Sequence, residues 1–221
     1  MDYYKTTRPF WLKNLAAQLK TPTLIRIDIN IPVVENKIIE TSMRLTVYGS
    51  VIELLSEYAG LIVMSHQGRK GTEQLIPLKQ HWIQLRKRLS SDIDIEFIPK
   101  DKVFSKETKE KIKNLDKKQV LLLDNVRFFE WEEKFDPQSC PWITLFKGLI
   151  KTCVNDSIPT WHRAHSSLMC LPYIAPTYVG VRSTFELKAL SDVLTETDCG
   201  IIMGGAKLAK IEYLVDILKR M

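Results

Sequence analysis

The run TLIRIDIN, residues 23–30, gives the clearest indication of how this chain folds, because a short apolar stretch ends in two polar side chains, Asp28 and Asn30. Three further runs have the same form and end in amide, carboxylate or basic side chains: LIVMSHQGR (61–69, with His66 and Arg69), QVLLLDNVR (119–127, with Asn125 and Arg127) and KTCVND (151–156, with Asn155 and Asp156). Short apolar runs bounded by polar turns are typical of buried parallel strands.

Helical patterns separate these runs. In residues 43–59 the apolar side chains fall three or four positions apart, which predicts one helix face turned to a core. The lysine-rich stretch 100–118 predicts a second, exposed amphipathic helix whose charged face is solvated. Alternating strands and helices predict an α/β fold: a doubly wound, Rossmann-like parallel sheet with helices on both faces.

In such a sheet the ligand lies outside the carboxyl ends of the strands, so the polar side chains are expected to meet in one crevice. His66, Arg69 and Arg127, together with Arg163 beyond the last run, carry no matching excess of carboxylates, which predicts an anion site. Each motif also has a plain structural interpretation. Asp28 and Asn30, expected on one face of a strand, are common in turns, and Gly68 suits a tight turn.

Two arginines have structural alternatives of their own. Arg127 has acidic neighbours in the sequence and could form a surface ion pair with Glu130 or Glu132. Arg26 is unusual inside an apolar run, and we expect it to neutralise nearby carboxylates, because buried charges need partners.

Composition limits the class of protein. The chain has 221 residues, 45% of them hydrophobic and 26% charged, which is an ordinary globular balance. It has no apolar run of membrane-spanning length and no apolar signal core, so we expect a cytoplasmic protein without membrane contact. The net charge of +6 allows an acidic partner, but the lysine-rich stretch lacks interleaved aromatic residues, and nucleic acid is not expected.

Metal and covalent chemistry are not indicated by the sequence. The four cysteines form no CxxC pair, which favours reduced thiols. His162 and His165 could share a helix face, yet no carboxylate stands in metal-ligand spacing with them, so no metal site is predicted. No nucleophile elbow of the form GxSxG is present.

A composition change near residues 167–180, rich in proline, is suited to a domain boundary. We predict a domain at residues 1–180, an interdomain helix and linker at 181–197 with Ser183 as the helix cap, and the start of a second domain at 198–221. In that last stretch, Gly204 and Gly205 precede Lys207 and Lys210 at a predicted helix start, a moderate phosphate-binding signal.

Five segments in this order resemble phosphoglycerate kinase, with a leaning towards archaeal members: RIDINIP (26–32), SHQGR (65–69), DNVRF (124–128), VNDSIPTWHRAHSS (154–167) and GIIMGGAKLAK (200–210). The resemblance covers nearly the whole chain and implies a two-domain kinase. Such an enzyme moves a phosphoryl group between 1,3-bisphosphoglycerate and ADP, giving 3-phosphoglycerate and ATP, with Mg²⁺ accompanying the nucleotide. Most of the nucleotide domain of that family has no counterpart here.

The resemblance also implies roles for individual residues. Substrate binding falls to Asp28, Asn30, Arg44, His66, Gln67, Gly68, Arg69, Arg127, His162 and Arg163. Nucleotide binding falls to Gly204, Gly205, Lys207 and Lys210, and the catalytic residues are Arg44, Lys207 and Lys210. ADP or ATP is then expected to bind only with the rest of the second domain. The second functional class open from sequence is a non-catalytic relative that binds an anion or nucleic acid.

Overall fold

A computed structural model describes residues 10–195 of the chain. Its main sheet is parallel and has six strands in the order β5-β6-β4-β1-β7-β8. These strands are β1 (Thr23–Ile27), β4 (Leu61–Met64), β5 (Asp94–Ile98), β6 (Gln119–Leu123), β7 (Thr152–Asp156) and β8 (Thr177–Val179). The predicted α/β fold with a doubly wound parallel sheet is thereby confirmed.

Helices connect the strands, with short 3₁₀ turns between them. The helices are α1 (Phe10–Gln18), α2 (Met43–Ser56), α3 (Lys79–Arg86), α4 (Lys106–Lys113), α5 (Pro141–Phe146), α6 (Ser166–Met169), α7 (Leu171–Ile174) and α8 (Val181–Thr195). None of the helices between residues 10 and 195 is long and apolar enough to cross a membrane.

The two faces of the sheet carry separate cores. Along β1, Ile25 and Ile27 join one cluster, whereas Leu24 belongs to the other. The same alternation separates Val63 from Ile62 on β4. Every residue of β1 and β4 is buried, as expected when helices cover both faces of a parallel sheet.

Three local features differ from the sequence-based expectation. β1 ends at Ile27, so Asp28 and Asn30 lie in the loop beyond the strand rather than on it. That loop leads into a two-stranded hairpin, β2 (Val33–Val34) with β3 (Lys37–Ile38). The proline-rich stretch contributes β8, which pairs with β7 because its prolines stand outside the three paired residues.

The start of α8 is capped by another strand and not by Ser183, which lies within the helix. Asp156, the last residue of β7, accepts hydrogen bonds from the backbone N–H groups of Ser183 (2.7 Å) and Arg182 (3.2 Å). Gly180 is required here, since a Cβ at this position would lie 2.2 Å from the Asp156 Cβ. The first unit of the predicted second domain, 198–221, lies outside the described residues, and the division into domains stays a prediction.

Candidate functional site

A cleft of about 720 Å³ opens at the carboxyl edge of the sheet, where the ends of β1, β4 and β6 lie side by side. Its lining is basic and contains a single carboxylate. The lining residues that carry the argument are Asp28, Asn30, Arg44, His66, Gly68, Arg69, Arg127 and Arg163. The convergence predicted from the strand ends is present for residues beyond β1, β4 and β6, whereas Asn125, Asn155 and Asp156 do not line the cleft.

The loop after β1 holds its polar groups by mutual contacts. The Asp28 carboxylate accepts a hydrogen bond from Arg44 Nη1 at 2.6 Å and another from the backbone N–H of Asn30 at 3.1 Å. Arg44 is 46% exposed, so the pair lies at the mouth of the cleft. Asn30 Oδ1 accepts from the backbone N–H of Gly68 at 2.8 Å, which joins the first loop to the second.

The loop after β4 depends on glycine at one position. Gly68 has a φ of +70°, and a Cβ there would lie 2.0 Å from the carbonyl oxygen of Gln74. Gln67 beside it is fully buried, and its amide bonds both the N–H and the C=O of Ile31 at 2.9 Å. Gln67, predicted to bind substrate, thus braces the loops beneath the cleft and is absent from its lining.

Asn125, at the end of β6, connects three segments of backbone. Its Oδ1 accepts from the N–H groups of Gln67 and Arg127, both at 3.1 Å, and its Nδ2 donates to the carbonyls of Gln67 (2.8 Å) and Ile76 (2.9 Å). The side chain is fully buried and uses all of these bonds to fix the loops. Asn125 therefore positions Arg127 without facing a ligand itself.

Arg127 has the features of a ligand-binding arginine. Only 5% of the residue is exposed, and its buried Nε has no hydrogen-bond partner among the described residues. Burial lowers the pKa of this guanidinium, and the positive charges of Arg163 and Arg26 lower it further. A surface ion pair with Glu132 is wrong, because both side chains are buried; the charges of Glu133 and Glu132 only partly offset the lowering of the Arg127 pKa.

Arg26 lies fully buried behind the cleft and contacts no carboxylate directly. Its Nε donates to Ser167 Oγ at 3.1 Å, its Nη1 donates to the carbonyl of Ile27, and its Nη2 lies 3.0 Å from His66 Nδ1. Ser167 Oγ in turn donates to Glu132 Oε1 at 2.6 Å. Arg26 is thus linked to the buried carboxyl group of Glu132 through a serine. Burial lowers the pKa of Arg26, and the nearby carboxylates of Glu132 and Asp28 oppose that shift, as the expected neutralising role requires.

The two histidines of HRAH are in different environments. His162 is exposed and lies outside the cleft lining, although it was predicted to bind substrate. His165 is buried, with Nδ1 at 3.9 Å from Glu132 Oε1, and burial with nearby arginines lowers its pKa to about 4. Both precede α6, so they do not share a helix face, and no group of three or more metal-ligating side chains occurs among residues 14–193.

The predicted nucleotide-binding residues Gly204, Gly205, Lys207 and Lys210 lie outside the described residues. Among the described residues, the cleft lining also includes Thr72, Gln74 and Thr160, which no sequence motif singles out. Trp161, which lies between the end of β7 and α6, donates from Nε1 to Asn155 Oδ1 at 2.8 Å. That bond ties the segment before α6 back to the end of β7.

Residues 13–221 match the family model described as phosphoglycerate kinase. The chain is 34% identical over 195 residues to the phosphoglycerate kinase of Sulfolobus acidocaldarius, covering 84% of this chain and 46% of that protein. It is 32% identical over 202 residues to that of Archaeoglobus fulgidus, covering 89% and 48%. The chain spans about half the length of the curated relatives it matches.

Solved structures give the same result. The crystal structure of phosphoglycerate kinase from Pyrococcus horikoshii superposes with a TM-score of 0.81 at 28% identity, covering 95% of this chain and 52% of that one. The phosphoglycerate kinase of Coxiella burnetii superposes with a TM-score of 0.69 at 22% identity, covering 93% and 50%. The second likeness extends to the fold alone.

Proposed function

This chain belongs to the phosphoglycerate kinase family, and we propose that it supplies the phosphoglycerate site of an enzyme that moves a phosphoryl group between 1,3-bisphosphoglycerate and ADP. The observation that supports this most is the cleft lining, in which Arg44, Arg69, Arg127 and Arg163 converge around one carboxylate. Guanidinium groups suit phosphate and carboxylate oxygens, and both occur in phosphoglycerate.

Each part of the cleft has a proposed role. Asp28 and Asn30 bind the hydroxyl and carboxylate of the glycerate, and Arg127 binds an acidic oxygen through its guanidinium group, which lines the cleft. Arg44, at the mouth, faces the transferring phosphoryl group after releasing part of its contact with Asp28. Phosphoryl transfer depends on positioning and charge neutralisation, which this set of groups supplies.

The nucleotide side of the reaction is proposed for residues beyond those described. Gly204 and Gly205 would expose backbone N–H groups to phosphate, and Lys207 and Lys210 would neutralise charge on the transferring group. Mg²⁺ would enter with ADP or ATP and screen the phosphate charges there. We propose that residues 198–221 belong to a nucleotide domain and that ADP binding needs further residues of that domain. A cytoplasmic location is part of the same proposal.

Calorimetric titration of the chain with 3-phosphoglycerate and, separately, with ADP tests this function. We expect weak binding of 3-phosphoglycerate that weakens further as salt rises, because charge complementarity supplies most of the affinity, and very weak binding of ADP. Tight binding of ADP with no binding of 3-phosphoglycerate would reverse the assignment. Binding of an oligonucleotide in place of 3-phosphoglycerate would favour a non-catalytic, nucleic-acid-binding relative.

A further inference from the structure

A chain of four buried side chains connects a carboxylate to the floor of the cleft. It consists of Glu132, Ser167, Arg26 and His66, and each is at most 4% exposed. Successive contacts are 2.6 Å from Glu132 Oε1 to Ser167 Oγ, 3.1 Å from Ser167 Oγ to Arg26 Nε, and 3.0 Å from Arg26 Nη2 to His66 Nδ1. Only the last residue lines the cleft.

The chemistry of arginine fixes the direction of the two bonds that Arg26 makes to side chains in this chain. Arginine can only donate, so Ser167 Oγ must accept from Arg26 Nε. The serine hydroxyl is then free to donate to Glu132 Oε1, while the second carboxylate oxygen accepts from the Ser167 backbone N–H at 3.1 Å. Both carboxyl oxygens of Glu132 therefore bond to Ser167, and the two bonds hold the serine in a single orientation.

The same rule fixes the protonation of the His66 ring. Nδ1 faces an arginine N–H at 3.0 Å and must accept, since a proton on Nδ1 would set two donors against each other. The Asp28 carboxylate is 4.0 Å from Nδ1, too far for a hydrogen bond that would hold a proton there. The ring proton therefore lies on Nε2, the nitrogen on the opposite side from Arg26.

We propose that Arg26, held by Ser167 and Glu132, is a positioning residue that fixes His66 as a neutral imidazole whose Nε2–H donates to an acidic oxygen in the cleft. This inference rests on the proposed function for the identity of that oxygen, which would belong to a phosphorylated hydroxy acid. His66 then differs from the arginines around it. It contributes a directed hydrogen bond and no positive charge.

The surroundings of His66 also favour the neutral form of its imidazole. The charged or titratable groups that act on its ring are Asp28, at 4.0 Å from Nδ1, and the basic groups Arg26, Arg127, His165 and Arg163. Burial lowers the pKa of the imidazole, and those basic groups lower it further. We expect the ring to stay neutral from pH 8 down to pH 5, whether or not a ligand is bound.

Nitrogen NMR of the ¹⁵N-histidine-labelled chain tests the proposal without any ligand. An unprotonated, pyridine-type nitrogen resonates far downfield of an N–H nitrogen, so each tautomer is directly visible, and His66→Gln identifies the signals. We expect a pyridine-type Nδ1 and a protonated Nε2 that do not change between pH 5 and 8. A proton on Nδ1, or titration within that range, would overturn the proposal.

Ser167→Ala tests the positioning role, with Ser166→Ala as the matched control. Ser166 is the neighbouring buried serine on α6, but its Oγ donates to the carbonyl of Trp131, outside the chain of contacts. We expect Ser167→Ala to give mixed His66 tautomers and to weaken 3-phosphoglycerate binding about three- to tenfold, the value of one hydrogen bond. The control should leave both unchanged.

The outcomes separate the two proposals. Identical His66 signals in Ser167→Ala and Ser166→Ala would remove Ser167 from the positioning role. If Ser167→Ala does not fold, the tautomer of the unsubstituted chain still decides whether Arg26 fixes the ring. Failure of the unsubstituted chain to bind 3-phosphoglycerate would overturn the proposed function, whereas the spectrum of His66 would be read independently.

Discussion

Two neighbouring groups of polar residues at the carboxyl edge of the sheet differ in their hydrogen-bond partners. One group bonds to the protein itself, and the other lines the cleft. The loop braces, Gln67 and Asn125, are fully buried and direct their amides at backbone and side-chain groups of the protein. The cleft arginines, Arg69, Arg127 and Arg163, line the cavity, and the described structure gives no hydrogen-bond partner to the buried Nε of Arg127.

This difference shows that one motif contains residues of two kinds. In SHQGR, Gln67 and Gly68 shape the loop, whereas Arg69 is exposed at the cleft. In DNVRF, Asn125 fixes the backbone that carries Arg127. Substitutions of the two groups should therefore separate stability from ligand affinity.

Asn125→Ala should have the largest effect and should act on the fold. It removes four hydrogen bonds and leaves buried backbone groups of Gln67, Ile76 and Arg127 without partners. We expect a loss of about 3 to 5 kcal/mol in the free energy of unfolding, measured by urea denaturation. Asn114→Ala, at the exposed end of α4, is the control and should change little. Equal stability of the two variants would contradict the bracing role.

Glu132→Gln should remove a pH-dependent contribution of the buried Glu132 side chain to the free energy of unfolding. Burial raises the pKa of Glu132 to about 7 from 4.5, so the native state keeps a proton that the unfolded chain releases. Stability from this group is present below about pH 4.5 and is lost as the pH rises through 7, a change on the order of 3 kcal/mol.

The measurement is the free energy of unfolding of wild type minus that of Glu132→Gln, taken from pH 4 to 8. The difference is needed because burial lowers the pKa of His81 and His165 to about 4, and those groups make stability rise with pH over part of the same range. We expect the difference to fall as the pH rises. A difference that is flat or rises would show that Glu132 is ionised at low pH.

Arg127→Ala should affect ligand affinity and spare the fold. Loss of one charge-assisted hydrogen bond, about 1.5–3 kcal/mol, predicts at least a tenfold weaker binding of 3-phosphoglycerate by calorimetry. The melting temperature should not fall, because the guanidinium is buried near two other cations. Arg86→Ala removes an exposed arginine over the Trp82 ring, away from the cleft, and is the matched control. A variant that loses stability but keeps its affinity would place Arg127 among the braces.

Lys113→Ala should have the smallest effect of all. Lys113 pairs with Glu110 on the exposed surface of α4, in the lysine-rich stretch. Such pairs contribute little, so neither the melting temperature nor the affinity for 3-phosphoglycerate should change measurably. A clear loss of affinity would mean that general positive charge, rather than the cleft geometry, attracts the ligand.

The parallel sheet and the meeting of polar side chains at its carboxyl edge could be predicted from the sequence. Apolar runs of strand length end in polar residues, and parallel strands share one edge. The sequence was insufficient for the loops. Whether His162 or His165 faces inward depends on the path of a segment that precedes α6, and periodicity gives no information there. The capping of α8 by Asp156 joins elements 26 residues apart and has no local signal.

A crystal structure of the chain with 3-phosphoglycerate would test the central claim most directly. We predict that an acidic group of the ligand lies at the carboxyl edge of the sheet, within hydrogen-bond distance of the Arg127 guanidinium, with Gln67 and Asn125 keeping their contacts to the backbone. A ligand bound elsewhere, or an Arg127 guanidinium paired with a protein carboxylate while the ligand is present, would contradict the account.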